Sequence, residues 1–231
     1  MRKLGLIGGM SWVSTHRYFE RISAIVRKQV DPRASPPMAI ESIDFHDIYR
    51  LQDQSEWDAA TERVVGAAKR LEASGAQMLL IGANGMHKIF KQVTDSVDLP
   101  FLHIAECVGK RMAAANVRRA SLLGTRGVMT ESFYRRQLVA HGIDLLPPEM
   151  DDVDALENII FEELMVGKTR RDSERAMKTM INDAQKEGAD AVVLACAELE
   201  MIVDVDANIV PVYDAMRIHA EDAAQWIIGD E

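Results

Sequence analysis

GAQMLLIGANGMH, residues Gly75–His87, and GADAVVLACAELE, residues Gly188–Glu200, are two versions of one pattern. Each opens Gly-Ala, continues through a short apolar run and ends in small residues and a turn. The copies lie 113 residues apart (188 − 75), which sets Ala83 opposite Cys196. A short unbroken apolar run between turn signals reads as a strand buried on both faces, as in a parallel sheet. Other landmarks repeat at nearly the same distance. LGLIG, ending at Gly8, is echoed by ASLLG, ending at Gly124, an offset of 116. Pro100 in DLPFLH and Pro211 in IVPVYD differ by 111. Three landmarks in the same order imply an internal duplication.

Around these landmarks, apolar strands alternate with helical patterns. Lys3–Ile7, Met38–Ile43 and Gln77–Ile81 read as strands. Thr15–Val30 reads as a helix with Tyr18, Phe19, Ile22, Ile25 and Val26 on one face, and Asp58–Ser74 as a helix through Val64, Val65, Ala68 and Leu71. Met86, Ile89, Phe90, Val93 and Val97 form a further helical stripe. In the second half Ala120–Gly124 and Ala191–Leu194 read as strands. The expected fold class is α/β, with two pseudo-symmetric lobes, each a parallel sheet flanked by helices. The expected organisation is a first lobe over residues 1–100, a crossover at 101–117, a second lobe over 118–210, and a C-terminal helix, 211–231, returning toward the first. In open α/β sheets ligands bind beyond the carboxyl ends of the strands. If the lobes face each other, equivalent loops meet across one inter-lobe cleft, with Ala83 and Cys196 on opposite sides of a small ligand.

A chain of 231 residues is long enough to bury a large core. A net charge of −9 argues against sequence-independent binding to nucleic acid, which needs a basic surface. The apolar stretch in MRKLGLIGGM is too short for a signal-peptide core or a membrane span, so the expected location is cytoplasmic. Two cysteines support neither a disulfide framework nor a cysteine-rich metal site, and the six scattered histidines have no metal spacing. GLIGGM lacks the spacing of a dinucleotide fingerprint, and there is no P-loop.

Cys196 follows a strand and precedes the turn or short helix AELEMIV. A thiol near a helix N-terminus can have its thiolate favoured; the alternative is a buried core cysteine. Cys107 shares a helical stripe with Ile104, Val108 and Met112 and reads as core packing. Asn84-Gly85 reads either as a simple turn or as an anion site lined by amides. Thr125 in LLGTRG stands at the matching place in the second half, where its hydroxyl and the neighbouring amides could hold a carboxylate. Gly8, Gly9, Met10 and Ser11 form the counterpart in the first half. His87 reads as a cap or supporting group, and Glu198, close to Cys196, as either a solvated carboxylate or a group that tunes the thiol.

GLIGGMSW (Gly5–Trp12), DFHDI (Asp44–Ile48), Gln52 with SEW (Ser55–Trp57), NGMHK (Asn84–Lys88), LPFLHI (Leu99–Ile104), LLGTR (Leu122–Arg126), NIIFEEL (Asn158–Leu164), ACAE (Ala195–Glu198) and PVYDAMRIHA (Pro211–Ala220) span nearly the whole chain. Together they resemble the cofactor-independent aspartate/glutamate racemase family. The resemblance implies two α/β lobes with the site between them, a homodimer, no cofactor or metal, and a small carboxylate or amino-acid substrate. It also implies two thiols, one removing the α-proton and the other delivering a proton to the opposite face. The second family thiol maps to Cys196 and the first to Ala83, which can neither donate nor accept a proton. Gly85 and Ala197 stand where the family usually carries threonine, or threonine or glycine. By the same resemblance Met10, Ser11, Gln52, Asn84, Gly85, Thr125, Ala197 and Glu198 line the substrate. Cys196, the Ala83 position and His87 form the catalytic set.

The expected function is proton transfer at the α-carbon of a small acidic amino acid or related carboxylate, as in an isomerase (racemase or epimerase), with Cys196 serving one face. Water or another side chain such as His87 would serve the other. Two alternatives stay open: a one-thiol lyase resembling the arylmalonate decarboxylases of the same superfamily, and a ligand-binding homologue without turnover.

Overall fold

Gly8 and Gly124 end the central strands of two separate parallel sheets. The protein is described by a computed structural model covering residues 1–53 and 56–229. Ser55, part of the SEW motif, and the last two residues of the expected 211–231 segment lie outside the described residues. The chain divides into two compact units, Met1–His103 with His219–Glu231, and Ile104–Ile218.

The first unit runs β1 (Leu4–Gly8), α1 (Trp12–Gln29), β2 (Met38–Ser42), α2 (Phe45–Asp53), α3 (Trp57–Ala73), β3 (Met78–Ile81), a 3-10 turn (Gly85–Ile89) and α4 (Phe90–Thr94). The sheet order is β2-β1-β3, all parallel. The second unit runs α5 (Ile104–Ala114), β4 (Arg119–Gly124), α6 (Arg126–Thr130), α7 (Ser132–Ala140), β5 (Asp144–Leu145), α8 (Met150–Asn158), α9 (Arg171–Lys186), β6 (Ala191–Ala195) and β7 (Val212–Asp214); α10 (Ala215–Ile228) begins in it and from His219 belongs to the first unit. Its sheet order is β5-β4-β6-β7, again parallel. The change of unit falls just before α5 and again inside α10.

The duplication reaches individual backbone hydrogen bonds. Gln77 N–H donates to Lys3 O, and Asp190 N–H, 113 residues on, donates to Arg119 O, both at 2.8 Å. Leu79 N–H donates to Pro100 O at 2.9 Å, and Val192 N–H to Pro211 O at 3.0 Å. The matching prolines therefore do the same job, each starting the segment that pairs with the third strand. In the second unit this becomes β7; in the first it stays a single bridge between Leu79 and Phe101.

The apolar strands are buried along their length: every residue of β1, β3 and β6 is inaccessible or nearly so. Each fully buried Leu or Ile contributes about 1.5–3 kcal/mol relative to exposure. Helix α1 starts three residues earlier than its periodicity suggests, because Ser11 caps it. Its buried face is Val13, Tyr18, Ile22 and Val26; Phe19, expected inward, is 45% exposed. The stripe expected over Met86–Val97 is split into the 3-10 turn and α4, though Met86, Ile89 and Val93 are buried as the spacing requires. Ile104, Cys107, Val108 and Met112 on α5 are all buried, the arrangement expected of a core stripe. Among the described residues no helix is long and apolar enough to cross a membrane.

Candidate active site

Cys196 comes directly after β6 and ahead of a five-residue 3-10 turn, Ala197–Met201. It is 6% exposed and Glu198 is 3% exposed. Its Sγ lies 3.0 Å from Glu198 Oε2, with the thiol donating to the carboxylate. Burial pushes the thiol well above its ordinary range, and the Glu198 charge and hydrogen bond push it further. This corrects the expectation that the turn after the strand favours the thiolate. One 3-10 turn supplies little dipole, whereas a buried carboxylate at hydrogen-bond distance holds the proton on sulfur. Ala197, between them, is buried. Glu198 is not the solvated surface carboxylate of the alternative reading.

Glu198→Gln removes the negative charge and keeps the side chain's shape. Its expected effect is to lower the thiol's pKa toward the usual range. Alkylation by iodoacetamide at pH 8, in a Cys107→Ser background, should then rise at least about threefold, because the thiolate is the nucleophile. An unchanged or slower rate would show that Glu198 does not hold the proton.

Thr125 stands at the N-cap of α6 with its hydroxyl making no capping bond. Beside it, the Arg126 main-chain N–H donates to Glu157 Oε2 at 2.7 Å, and the Arg126 guanidinium pairs with Asp154. One of the amides expected to hold a ligand carboxylate already has a carboxylate of the protein. The same correction applies to the first unit. Gly9 N–H donates to Thr15 Oγ1 at 2.7 Å, and Ser11 Oγ accepts from Ser14 N at 3.4 Å as the cap of α1. Met10 and Ser11 are both buried in this loop. These loops are shaped by their own hydrogen bonds, which sequence cannot reveal because the partners are set by backbone path.

At the end of β3 the half-buried Ala83 leads into Asn84, which is 7% exposed. The Asn84 side chain makes no capping bond, and its Oδ1 is buried without a hydrogen-bond partner. A buried amide oxygen left in this way costs about 1–3 kcal/mol unless a ligand supplies the partner. The simple-turn reading leaves that atom unexplained. His87 Nδ1 lies 3.0 Å from the Ala83 carbonyl. The ring is buried, and burial with His103 and His219 nearby holds it well below the usual imidazole range. His87 is therefore neutral and turned onto its own loop. Gln52, on α2, donates from Nε2 to Met86 Sδ at 2.7 Å, tying α2 to the turn that carries Gly85.

The sequence profile of the Asp/Glu/hydantoin racemases matches residues 7–223 of this chain. The chain belongs to that family. A Yersinia pestis protein assigned as an Asp/Glu racemase shares its fold with a TM-score of 0.91 and 34% identity, over 99% of this chain and 100% of that one. PH1733, an aspartate racemase homologue from Pyrococcus horikoshii OT3, gives a TM-score of 0.86 and 30% identity, over 99% and 100%. The broad specificity amino-acid racemase RacX of Bacillus subtilis is 19% identical over 229 residues, 98% of each chain. This racemase-family protein thus keeps the α/β fold with two parallel sheets flanked by helices, and carries Ala83 where the internal repeat matches Cys196.

Proposed function

We propose that this protein is a cofactor-independent isomerase-type enzyme that moves a proton at the α-carbon of a small acidic amino acid or related carboxylate. Cys196 is its single thiol acid–base group. The observation that carries this reading is the Cys196–Glu198 pair. The thiol enters the reaction protonated and can give its proton to an enediolate carbon, which is far more basic than a thiolate. In reverse, passing its proton to Glu198 leaves a thiolate that can take the α-proton. A buried carboxylate beside the sulfur serves both directions, and such a pair supplies what general acid–base catalysis needs within hydrogen-bond reach.

The remaining assignments rest on the family resemblance. Asn84 Oδ1 accepts from the substrate's ammonium group and the Thr125 hydroxyl donates to the oxygens where negative charge develops, while Met10, Ser11, Gln52, Gly85 and Ala197 line the site. The unpartnered Asn84 Oδ1 and the Thr125 hydroxyl, which makes no capping bond, support those two roles. Ala83 contributes no proton, so water serves the face that Cys196 does not. His87, bonded to the Ala83 carbonyl, positions its loop rather than acting as the second base.

The test is NMR in heavy water with both enantiomers of aspartate, glutamate and other amino acids. Exchange of the α-proton, fast with retention and slower with inversion, is the expected result. No exchange on any amino acid overturns the isomerase reading. A second reading, a one-thiol decarboxylase, is favoured by the firmly protonated Cys196 together with Ala83. Protonating an enediolate after carbon dioxide leaves needs one acid and no opposing base. Carbon dioxide release from substituted malonates would establish it, and ligand binding without turnover would instead indicate a binding homologue.

A further inference from the structure

Three histidines that the sequence scatters meet inside the first unit. His87, His103 and His219 are 2%, 7% and 0% exposed. The His87 ring centroid lies 4.6 Å from that of His103 and 6.2 Å from that of His219. Phe90 stacks on His87 at 5.4 Å and meets His103 at 4.5 Å. Among the described residues no group of three His, Cys, Asp or Glu side chains is arranged to hold a metal ion.

Hydrogen bonds define the protonation of two rings. His219 Nε2 lies 3.1 Å from the Leu102 carbonyl, which only accepts, so Nε2 carries the hydrogen. Nδ1 then accepts from the Tyr18 hydroxyl at 2.8 Å. His87 Nδ1 donates to the Ala83 carbonyl in the same way. His87 faces His103 and His219, and His219 faces His103 and Tyr18. Burial lowers both pKa values, that of His219 to about 3. A proton gained by His219 would remove the acceptor that Tyr18 uses. It would also place a charge beside two other imidazoles in surroundings with little water to screen it.

We propose that His103 and His219 are positioning residues that act through His87, so that the buried cluster holds the Ala83–Gly85 loop while the His87 and His219 rings are neutral and releases it on acidification. The consequence for turnover rests on the proposed role of that loop at the substrate; the clamp itself does not.

The experiment follows the imidazole nitrogens and the amides of Ala83, Asn84 and Gly85 by 15N NMR from pH 8 to pH 3, with circular dichroism alongside. The expected result is a His87 ring in the Nδ1–H form at pH 7.5. The three loop amides should move together with imidazole protonation, at a pH well under the ordinary value of about 6.5, before helix content is lost. His87→Gln retains a donor for the Ala83 carbonyl without a titrating ring. It should keep the loop near its wild-type shifts at pH 7.5 and abolish the acid movement. His103→Phe removes a repelling imidazole and should raise the transition midpoint. A His87 ring in the Nε2–H form, loop amides that stay put until the whole chain unfolds, or an unshifted midpoint in His103→Phe overturns the proposal. If either variant fails to fold, the wild-type tautomer and amide titration decide it. These readouts use no substrate, so a failure of the isomerase reading leaves them intact; if that reading holds, the acid limb of kcat/KM moves with the loop.

Discussion

Cys196→Ala reduces α-proton exchange at least about a thousandfold, within the range a positioned acid–base group contributes. The expectation is this large because Ala83 provides no second group able to carry a proton. In a two-thiol site, loss of one thiol leaves half-reactions on the other face; here nothing in the repeat takes over. Cys196→Ser tests the same point with less change in volume. A hydroxyl is a far weaker acid than a thiol, so it stays a poor donor even beside Glu198. Rates within tenfold of wild type in both variants would remove Cys196 from the reaction. Urea unfolding of both variants should stay close to wild type, since the substitutions are small, and that separates lost chemistry from lost folding.

Gly9→Ala lowers stability by about 2–5 kcal/mol, combining left-handed backbone strain of about 1–2 kcal/mol with overpacking of about 1–3 kcal/mol. Gly9 has φ of +85°, a region that residues with a Cβ rarely adopt. A Cβ there would stand 2.0 Å from the carbonyl oxygen of Ile43 and 2.4 Å from its nitrogen. Both are backbone atoms next to β2, and Ile43 N–H is already bonded to Gly8 O at 3.0 Å. The neighbour cannot turn aside as a flexible side chain would. A lower urea midpoint with unchanged slope is the expected signature. A loss below about 1 kcal/mol would mean that the loop relaxes away from Ile43 at little cost. Because the same loop carries Met10 and Ser11, any folded fraction of this variant should also exchange substrate protons more slowly.

Much of the fold was legible in the sequence. Continuous apolar runs ending in glycine gave the parallel strands, since such strands are buried on both faces and their composition says so. The repeat between Gly75–His87 and Gly188–Glu200 foretold two sheets of one design, down to the prolines that begin the next pairing segment. Less legible were the irregular joints. Nothing in the spacing of Met86, Ile89 and Val93 distinguishes a 3-10 turn followed by α4 from one helix, because both bury the same side chains. Phe19 fits the α1 stripe by periodicity, yet its place at the edge of the buried face leaves it exposed.

The candidate site divides along the same line. Residue identity alone determined that one half of the repeat carries a thiol and the other a methyl group, because acid–base capacity belongs to the side chain. How tightly that thiol holds its proton was decided by tertiary structure. Burial of Cys196 against Glu198 sets its proton affinity, and desolvation depends on everything packed around the pair. The Arg126 amide is committed to Glu157 across 31 residues, and Asn84 is left with an unanswered oxygen, only because the backbone path places them so. The histidines make the point most directly. His87, His103 and His219 show no spacing that links them, since a chain periodicity reports neighbours on one element and these lie in a 3-10 turn, a connecting loop and a helix. Only the fold brings their rings into one buried cluster, where proximity and burial together lower the proton affinity of His87 and His219.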